Sequence, residues 1–162
     1  MANTQALRTL VEPEIKKKFL EDKNCKDLGI KMLCNTQPDI VAIRGKTLII
    51  GEITVSGYKG YRGKFHIGAT RKLAESSIKL LILKHKKNEI ANKLLNEYKI
   101  QITDIELHFV FPENSEFINA LGWRENVFAL GINKTPVRID KETEVNILNV
   151  LNKAKNEVGK KL

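Results

Sequence analysis

The chain has 162 residues, of which 42% are hydrophobic and 29% are charged, and its formal net charge is +9. This length and composition are typical of one globular domain that buries a core, and they exclude a chain that is disordered throughout. No apolar run approaches the roughly 20 residues that a membrane-spanning helix needs. The N-terminal stretch lacks the basic and apolar regions of a signal peptide. We therefore expect a single domain over residues 1–162, located in the cytoplasm and not bound to a membrane.

The cysteines and the charge distribution narrow the class of ligand. Cys25 and Cys34 form neither a disulfide framework nor a zinc motif. Between Gly57 and Lys99 there are eleven Lys or Arg residues and three Glu, a net charge of +8. Such a basic segment favours a polyanionic ligand, with nucleic acid as the first candidate. A lysine-rich surface without a partner is the alternative that charge alone leaves open.

In the first third of the chain, residue spacing predicts one helix and three strands. A helix is expected over residues 4–23, with Pro13 in the first turn of its main part. A short strand is expected over 28–34. A β-hairpin follows, with strands at about 39–44 and 47–55 joined by a two-residue turn.

The remaining elements alternate between helix and strand. A glycine-rich loop over 56–64 precedes a helix over 65–77 and a strand over 78–84, for which a continuous helix is the alternative. Further elements are predicted as a helix over 88–99, a strand over 105–111, a short helix, a strand near 127–132 and a terminal helix from about Lys141. The order α-β-β-β-α-β with a further α/β tail predicts an α/β fold in which helices flank a mixed sheet. No GxGxxG or P-loop motif is present.

Two carboxylates, Asp39 and Glu52, lie on the two strands of the predicted hairpin. A turn at residues 45–46 pairs Arg44 with Thr47, and this register places Asp39 directly opposite Glu52. Opposed strand residues have Cβ atoms about 4.5–5.5 Å apart, where like charges are destabilising. Protonation of one carboxyl or a cation between the two offsets the repulsion. Oxygen ligands on a sheet suit Mg²⁺ or Mn²⁺.

The stretch from Pro38-Asp39 through "IVAIRGKTLII" to "GEIT" at residues 51–54 resembles the D…(D/E)-x-K motif of the PD-(D/E)XK nuclease superfamily. It is most similar to the core of archaeal Holliday-junction resolvases and restriction enzymes, and the similarity covers residues 5–77. The resemblance implies a restriction-endonuclease-like fold and a divalent-metal-dependent endonuclease that hydrolyses phosphodiester bonds of duplex or branched DNA. It also implies Mg²⁺ or Mn²⁺ as cofactor and a homodimer as the working form.

The resemblance further implies roles for individual residues. Asp39 and Glu52 are expected to hold the metal, and the motif lysine is expected two residues after Glu52. That position is Thr54, whose hydroxyl cannot supply a positive charge but can orient a water molecule. Family members recruit the amine from elsewhere, and here Lys64 is the preferred candidate, with Lys59 as an alternative.

Two more groups of residues complete the expected site. Lys72 is a further candidate for the recruited amine, and a glutamate of the first helix, Glu14 or alternatively Glu12, is expected near the metal. The nucleic-acid contacts are expected from cations of the basic segment, namely Lys59, Arg62, Lys64, Arg71 and Lys72.

Two other functions stay open. A catalytically inactive nuclease-fold subunit that binds DNA or serves in an assembly is favoured by Thr54 at the lysine position. A basic α/β protein that binds RNA or another protein is compatible with carboxylates that are merely solvated. In that case Asp39 begins a strand after Pro38, and Glu52 faces solvent.

Overall fold

The structure is a computed structural model that describes residues 7–55 and 68–159. Within these ranges it confirms an α/β fold with a five-stranded mixed sheet flanked by helices. A π-helical turn (Leu7–Val11) precedes α1. The other elements in chain order are α1 (Glu12–Lys23), β1 (Lys26–Asp27), β2 (Ile40–Arg44), β3 (Thr47–Ile53), α2 (Gly68–His85), α3 (Lys87–Tyr98), β4 (Asp104–Pro112), α4 (Phe117–Leu121), a 3₁₀ segment (Gly122–Leu130), β5 (Ile132–Val137) and α5 (Lys141–Gly159).

The strands lie in the order β1-β2-β3-β4-β5. The pairs β1–β2 and β2–β3 are antiparallel, whereas β3–β4 and β4–β5 are parallel. Parallel neighbours need long crossover connections. Helices α2 and α3 lie in the first crossover, and α4 with the 3₁₀ segment lies in the second. No described helix is long and apolar enough to cross a membrane.

The hairpin between β2 and β3 has the predicted register. Arg44 lies opposite Thr47, and Ile40 lies opposite Gly51. Gly45 has a φ of 61°, which a type II′ turn requires at its first central position. Gly51 is paired regularly on both sides, and a Cβ added there would lie 3.0 Å from Ile40 Cδ1. The glycine therefore allows close packing in an unbroken strand.

Helices cover both faces of the sheet, because strand side chains alternate between the two faces. On one face, α2, α3 and α4 pack against the sheet through side chains that include Leu73, Leu80, Leu83, Ile90, Leu94 and Phe117. On the other face, α1 and α5 pack against it through Ile15, Phe19 and Ile147. Glu52 alternates with Ile50 along β3, and Ile50 belongs to the core beneath α2, which explains why Glu52 meets that helix.

The predicted strand over residues 28–34 is wrong. The strand that pairs with β2 is the two-residue β1, and 28–34 contributes no ladder. Gly29 has a φ of 65°, and Cys34 and Asn35 have φ values of 48° and 60°. Cys34 and Asn35 form a tight turn that is closed by backbone bonds between Leu33 and Thr36. The alternating pattern of this stretch therefore belongs to an irregular segment with two buried side chains, Ile30 and Leu33.

The predicted strand over 78–84 is also wrong, and the alternative of a continuous helix is confirmed by α2. The run "IKLLILK" is apolar on more than one face of that helix. Leu80 and Leu83 are buried, whereas Ile78 and Ile82 are 59% and 46% exposed. A short apolar run cannot distinguish a helix from a strand by periodicity alone.

The predicted strand near 127–132 begins too early, because 122–130 is the 3₁₀ segment and β5 starts at Ile132. Gly131, with a φ of 91°, separates the two elements. The predicted strand over 105–111 and the helices over 88–99 and from Lys141 are confirmed.

A polar network runs from the exposed Arg44 at the hairpin end of the sheet to the buried His108 and Thr135. The Arg44 guanidinium donates to Glu106 at 2.9 Å, and Glu106 Oε1 lies 2.7 Å from His108 Nε2. His108 Nδ1 lies 2.7 Å from the hydroxyl of Thr135. Burial is the main cause that lowers the pKa of His108, so we assign a neutral ring that donates from Nε2 and accepts at Nδ1. Every polar group of the ring is satisfied, which identifies this network as structural.

Candidate functional site

The end of the sheet where β2 begins and β3 ends carries the two predicted carboxylates. Glu52 is only 2% exposed, and Asp39, the residue before β2, is half-buried. Asp39 Oδ2 accepts a 2.8 Å hydrogen bond from the backbone N–H of Ile53. The register of Ile40 with Gly51 extends to Asp39 and Glu52, so the hairpin brings both carboxylates to one place.

A lysine of α2 forms an ion pair with the buried carboxylate. Lys79 Nζ lies 2.8 Å from both Oε1 and Oε2 of Glu52. It also donates to the backbone carbonyl of Gln37 at 3.1 Å. Ser76, one helical turn earlier, donates to Glu52 Oε2 at 3.2 Å. An i, i+3 pair on one helix face therefore supplies both side-chain donors to Glu52.

The charge of Glu52 remains unfavourable despite this ion pair. Burial, followed by the nearby Asp39, raises its pKa from the ordinary value of 4.5 to about 7. Hydrogen bonds and the charge of Lys79, together with Ser76, act in the opposite direction but do not cancel the increase. A raised pKa from burial plus a specific charge partner, in a cleft, is typical of functional carboxylates.

The carboxylates open into a cleft of about 1010 Å³. Both signs of charge line it. Among the described residues, its acidic side chains are Glu12, Asp39, Glu52 and Glu75, and its cationic side chains are Arg8, Lys16, Lys31, Arg71, Lys72 and Lys79. Carboxylates at the base with cations around them match a ligand that carries several phosphates and a divalent cation.

Helix α1 contributes Glu12 to this cleft, whereas Glu14 does not line it. Glu14 is exposed and lies away from the cleft, and its expected role beside the metal stays a prediction. The cause is the helical rotation of about 100° per residue, which separates positions two apart onto different faces. Glu12 lies 3.8 Å from Lys72, and burial is the main cause that raises its pKa.

The other predicted site residues have different outcomes. Arg71 and Lys72 line the cleft. Thr54 is fully buried, and its backbone N–H donates to Val110 at 2.9 Å. Lys59, Arg62 and Lys64 lie outside the described residues, so the preference for Lys64 stays a prediction.

Lys79 and Ser76 were not predicted as site residues. Lys79 lies in the segment 78–84, which is predicted as a strand. A strand at this position does not place Lys79 beside Glu52. The signal that identifies it is helical spacing. Leu73, Leu80 and Leu83 mark the sheet-facing side of α2, and Ser76 and Lys79 lie on the same side.

The donor set fits a hard divalent cation. Both candidate ligands are carboxylates, the ligand type that Mg²⁺ and Mn²⁺ prefer. Within 7–55 and 68–159, no group of three or more His, Cys, Asp or Glu side chains is arranged as metal ligands. Mg²⁺ is usually held by one or two carboxylates, with waters and substrate phosphates in its other positions. Asp39 and Glu52 meet that requirement. Burial, and after it the neighbouring Asp39, raise the pKa of Glu52, and a cation between the two carboxyl groups would favour its ionised form.

A scan of the chain against models of known protein families found no match, and a search among curated proteins found none either.

Proposed function

We propose that this protein is a divalent-metal-dependent endonuclease that hydrolyses DNA phosphodiester bonds, with a restriction-endonuclease-like fold. The observation that carries the proposal is the contact of Lys79 with Glu52, beside Asp39, in a cleft lined by cations. Two carboxylates and an amine are the side chains that such hydrolysis uses. The mixed sheet, with its antiparallel hairpin followed by a helical crossover, agrees with the proposed fold.

Each residue has a defined role in this proposal. Asp39 and Glu52 hold Mg²⁺ or Mn²⁺, which when bound supplies positive charge at the scissile phosphate. Lys79 takes the place of the motif lysine and stabilises the charge that develops on the phosphate as water attacks. Asp39 is fixed by the backbone N–H of Ile53, so its carboxylate is already oriented before substrate binds.

Removal of either carboxylate should abolish metal-dependent cleavage. We expect Glu52→Gln and Asp39→Asn to lower the rate on the order of 10²-fold or more, because each loses a charged ligand in a buried site. Supercoiled, linear, single-stranded and four-way-junction DNA are incubated with Mg²⁺, Mn²⁺ or EDTA. Glu97→Gln, an exposed glutamate on α3, is the charge-matched control. Cleavage that persists in EDTA, or that Glu52→Gln leaves unchanged, contradicts the assignment.

The cations of the cleft should contact phosphates without reading sequence. We expect Arg71→Ala to weaken binding uniformly across DNA sequences and to reduce the slope of log K against log salt by about 0.9 for duplex DNA. Fluorescence anisotropy between low and physiological salt measures the slope. Lys84→Ala, which removes an exposed cation from the same helix outside the cleft, should leave the slope unchanged. An unchanged slope for Arg71→Ala places DNA elsewhere on the protein.

A second function is favoured by a different feature of the same site. Lys79 engages both oxygens of Glu52, and Thr54 occupies the position of the motif lysine. A subunit that lost catalysis and kept this ion pair for stability would bind DNA without needing a metal. A Mg²⁺ or Mn²⁺ binding isotherm that disappears with Asp39→Asn distinguishes the enzyme from this inactive subunit.

A further inference from the structure

The ammonium of Lys79 has three oxygen acceptors within hydrogen-bond distance among the described residues. A lysine ammonium carries three N–H groups and no acceptor. Lys79 Nζ contacts Glu52 Oε1 and Oε2, each at 2.8 Å, and the Gln37 carbonyl at 3.1 Å. When one N–H is directed at each of these three oxygens, all three protons are engaged. In this arrangement the amine cannot donate to a phosphate or to an attacking water.

The two oxygens of Glu52 are held unequally. Oε2 accepts from Ser76 as well as from Lys79. Among the described residues, Oε1 contacts Lys79 alone. Release of Oε1 therefore breaks one hydrogen bond, whereas release of Oε2 breaks two. Oε1 is the oxygen that can turn toward a cation at lower cost.

The charges around Glu52 and Lys79 favour the replacement of Lys79 by a cation at Glu52 Oε1. Two carboxyl groups, Asp39 and Glu52, face the single charge of Lys79, and the Glu52 side chain is only 3% exposed. A divalent cation placed between the carboxylates would neutralise both. It would also repel the ammonium, because like charges at such short range in a low-dielectric site interact strongly. The cation and Lys79 therefore compete for the same carboxylate oxygen.

We propose that Glu52 binds the Lys79 ammonium in the metal-free protein and that cation binding frees one N–H of this ammonium to face the cleft. Ser76 positions the Glu52 carboxylate, and the Gln37 carbonyl positions the Lys79 ammonium. The inference rests on the proposed nuclease function and adds a regulation of the same site. When Oε1 turns to the cation, Lys79 keeps its bonds to Oε2 and to Gln37. Its third N–H then points to the cleft, where the phosphate binds. The amine is thereby presented only when the metal is in place.

The environment of Lys79 can be followed without measuring activity. The protein is labelled with ¹³C-lysine, and the Cε–Hε signal of Lys79 is identified by its absence from Lys79→Arg. At pH 8 we expect this signal to shift with Mg²⁺ in a saturable manner. The same titration on Asp39→Asn should give no shift, since this isosteric variant loses the charge but keeps an oxygen to accept from Ile53. The signals of Lys84 and of other exposed lysines should not move.

The outcomes separate the inference from the function on which it rests. Mg²⁺ binding is measured independently by calorimetry. If Mg²⁺ binds at Asp39 and the Lys79 signal stays unchanged, the exchange is overturned while the nuclease proposal stands. If no Mg²⁺ binds, the metal-dependent function itself is overturned.

Ser76 provides the test of the positioning groups. We expect Ser76→Ala to raise the Mg²⁺ concentration for half of the Lys79 shift by roughly tenfold, as is typical for partners that orient a metal ligand. Ser77→Ala is the matched control, because the Ser77 hydroxyl is buried and has no hydrogen-bond partner within the described residues. If both variants need the same Mg²⁺ concentration for half of the Lys79 shift, Ser76 does not position Glu52.

Discussion

Replacement of Lys79 by methionine should lower the rate of metal-dependent DNA cleavage on the order of 10²-fold or more, with little change in DNA affinity. Methionine keeps most of the apolar stem and removes the charge. The amine lies at the base of the cleft against Glu52. The proposed function assigns it to the reacting phosphate rather than to the flanking backbone. Single-turnover cleavage and DNA affinity, measured on the same preparation, provide the comparison.

Lysines with other roles give the contrasting results. Lys72 lines the cleft beside Glu12, so we expect Lys72→Met to weaken binding more than it slows the chemical step. Lys84→Met removes an exposed cation of α2 and should change neither quantity. If Lys79→Met behaves like Lys72→Met, Lys79 holds phosphate and is not the recruited amine. Lys64 would then be the next lysine to test.

Loss of the Lys79 charge could also act through folding, because it leaves a buried carboxylate without its partner. Removal of one member of a buried ion pair typically costs about 3–5 kcal/mol. Lys79→Arg keeps a positive charge beside Glu52 and keeps the fold testable. Its planar guanidinium cannot reproduce the three contacts of the ammonium, so we expect a folded variant that still cleaves slowly.

The juxtaposition of Asp39 and Glu52 could be predicted from sequence because every step toward it is local. Gly45 sets the turn, the turn sets the register, and a side-chain period of two sets the face. The pairing of Arg44 with Thr47 follows from the turn alone. Only thirteen positions separate the two carboxylates, so their pairing follows from the hairpin and requires no contact between distant parts of the chain.

Lys79 could not be found in the same way, because its position depends on tertiary packing. It approaches Glu52 from α2, and 27 positions separate the two residues. The sequence around it is apolar on several sides, and its helical nature becomes clear only from which leucines are buried. The sequence also does not decide whether Glu12 or Glu14 faces the cleft, because this depends on the rotation of α1 about its axis.

The stability of the protein should fall as pH rises through the range in which Glu52 ionises. Its pKa is raised from 4.5 to about 7 in the folded protein, so the folded state binds a proton that the unfolded state has already released. The favourable contribution is complete below the unfolded pKa near 4.5 and is lost as pH approaches and passes 7. At about 1.4 kcal/mol per pKa unit, ionisation of Glu52 costs roughly 3 kcal/mol of folding free energy at pH 8.

Glu52→Gln should therefore stabilise the protein at high pH while it abolishes metal-dependent cleavage. Glutamine resembles the protonated acid, but it leaves Lys79 without a counter-charge, so we expect a gain of roughly 1–3 kcal/mol at pH 8. The gain should shrink toward zero near pH 5, where the wild-type carboxyl is protonated. Urea denaturation at both pH values measures it, and Glu97→Gln should stay within about 0.5 kcal/mol of wild type.

The opposite result has a clear meaning. If Glu52→Gln destabilises the protein at pH 8, the ion pair with Lys79 contributes to stability, and the inactive-subunit function gains support. If it stabilises the protein, the chain keeps a carboxylate that costs folding free energy, a cost expected where function requires the charge.

Stabilisation by Mg²⁺ tests whether this carboxylate binds the cation. Mg²⁺ should stabilise the wild type more at pH 8 than at pH 5 by binding the folded state, and it should not stabilise Glu52→Gln at either pH.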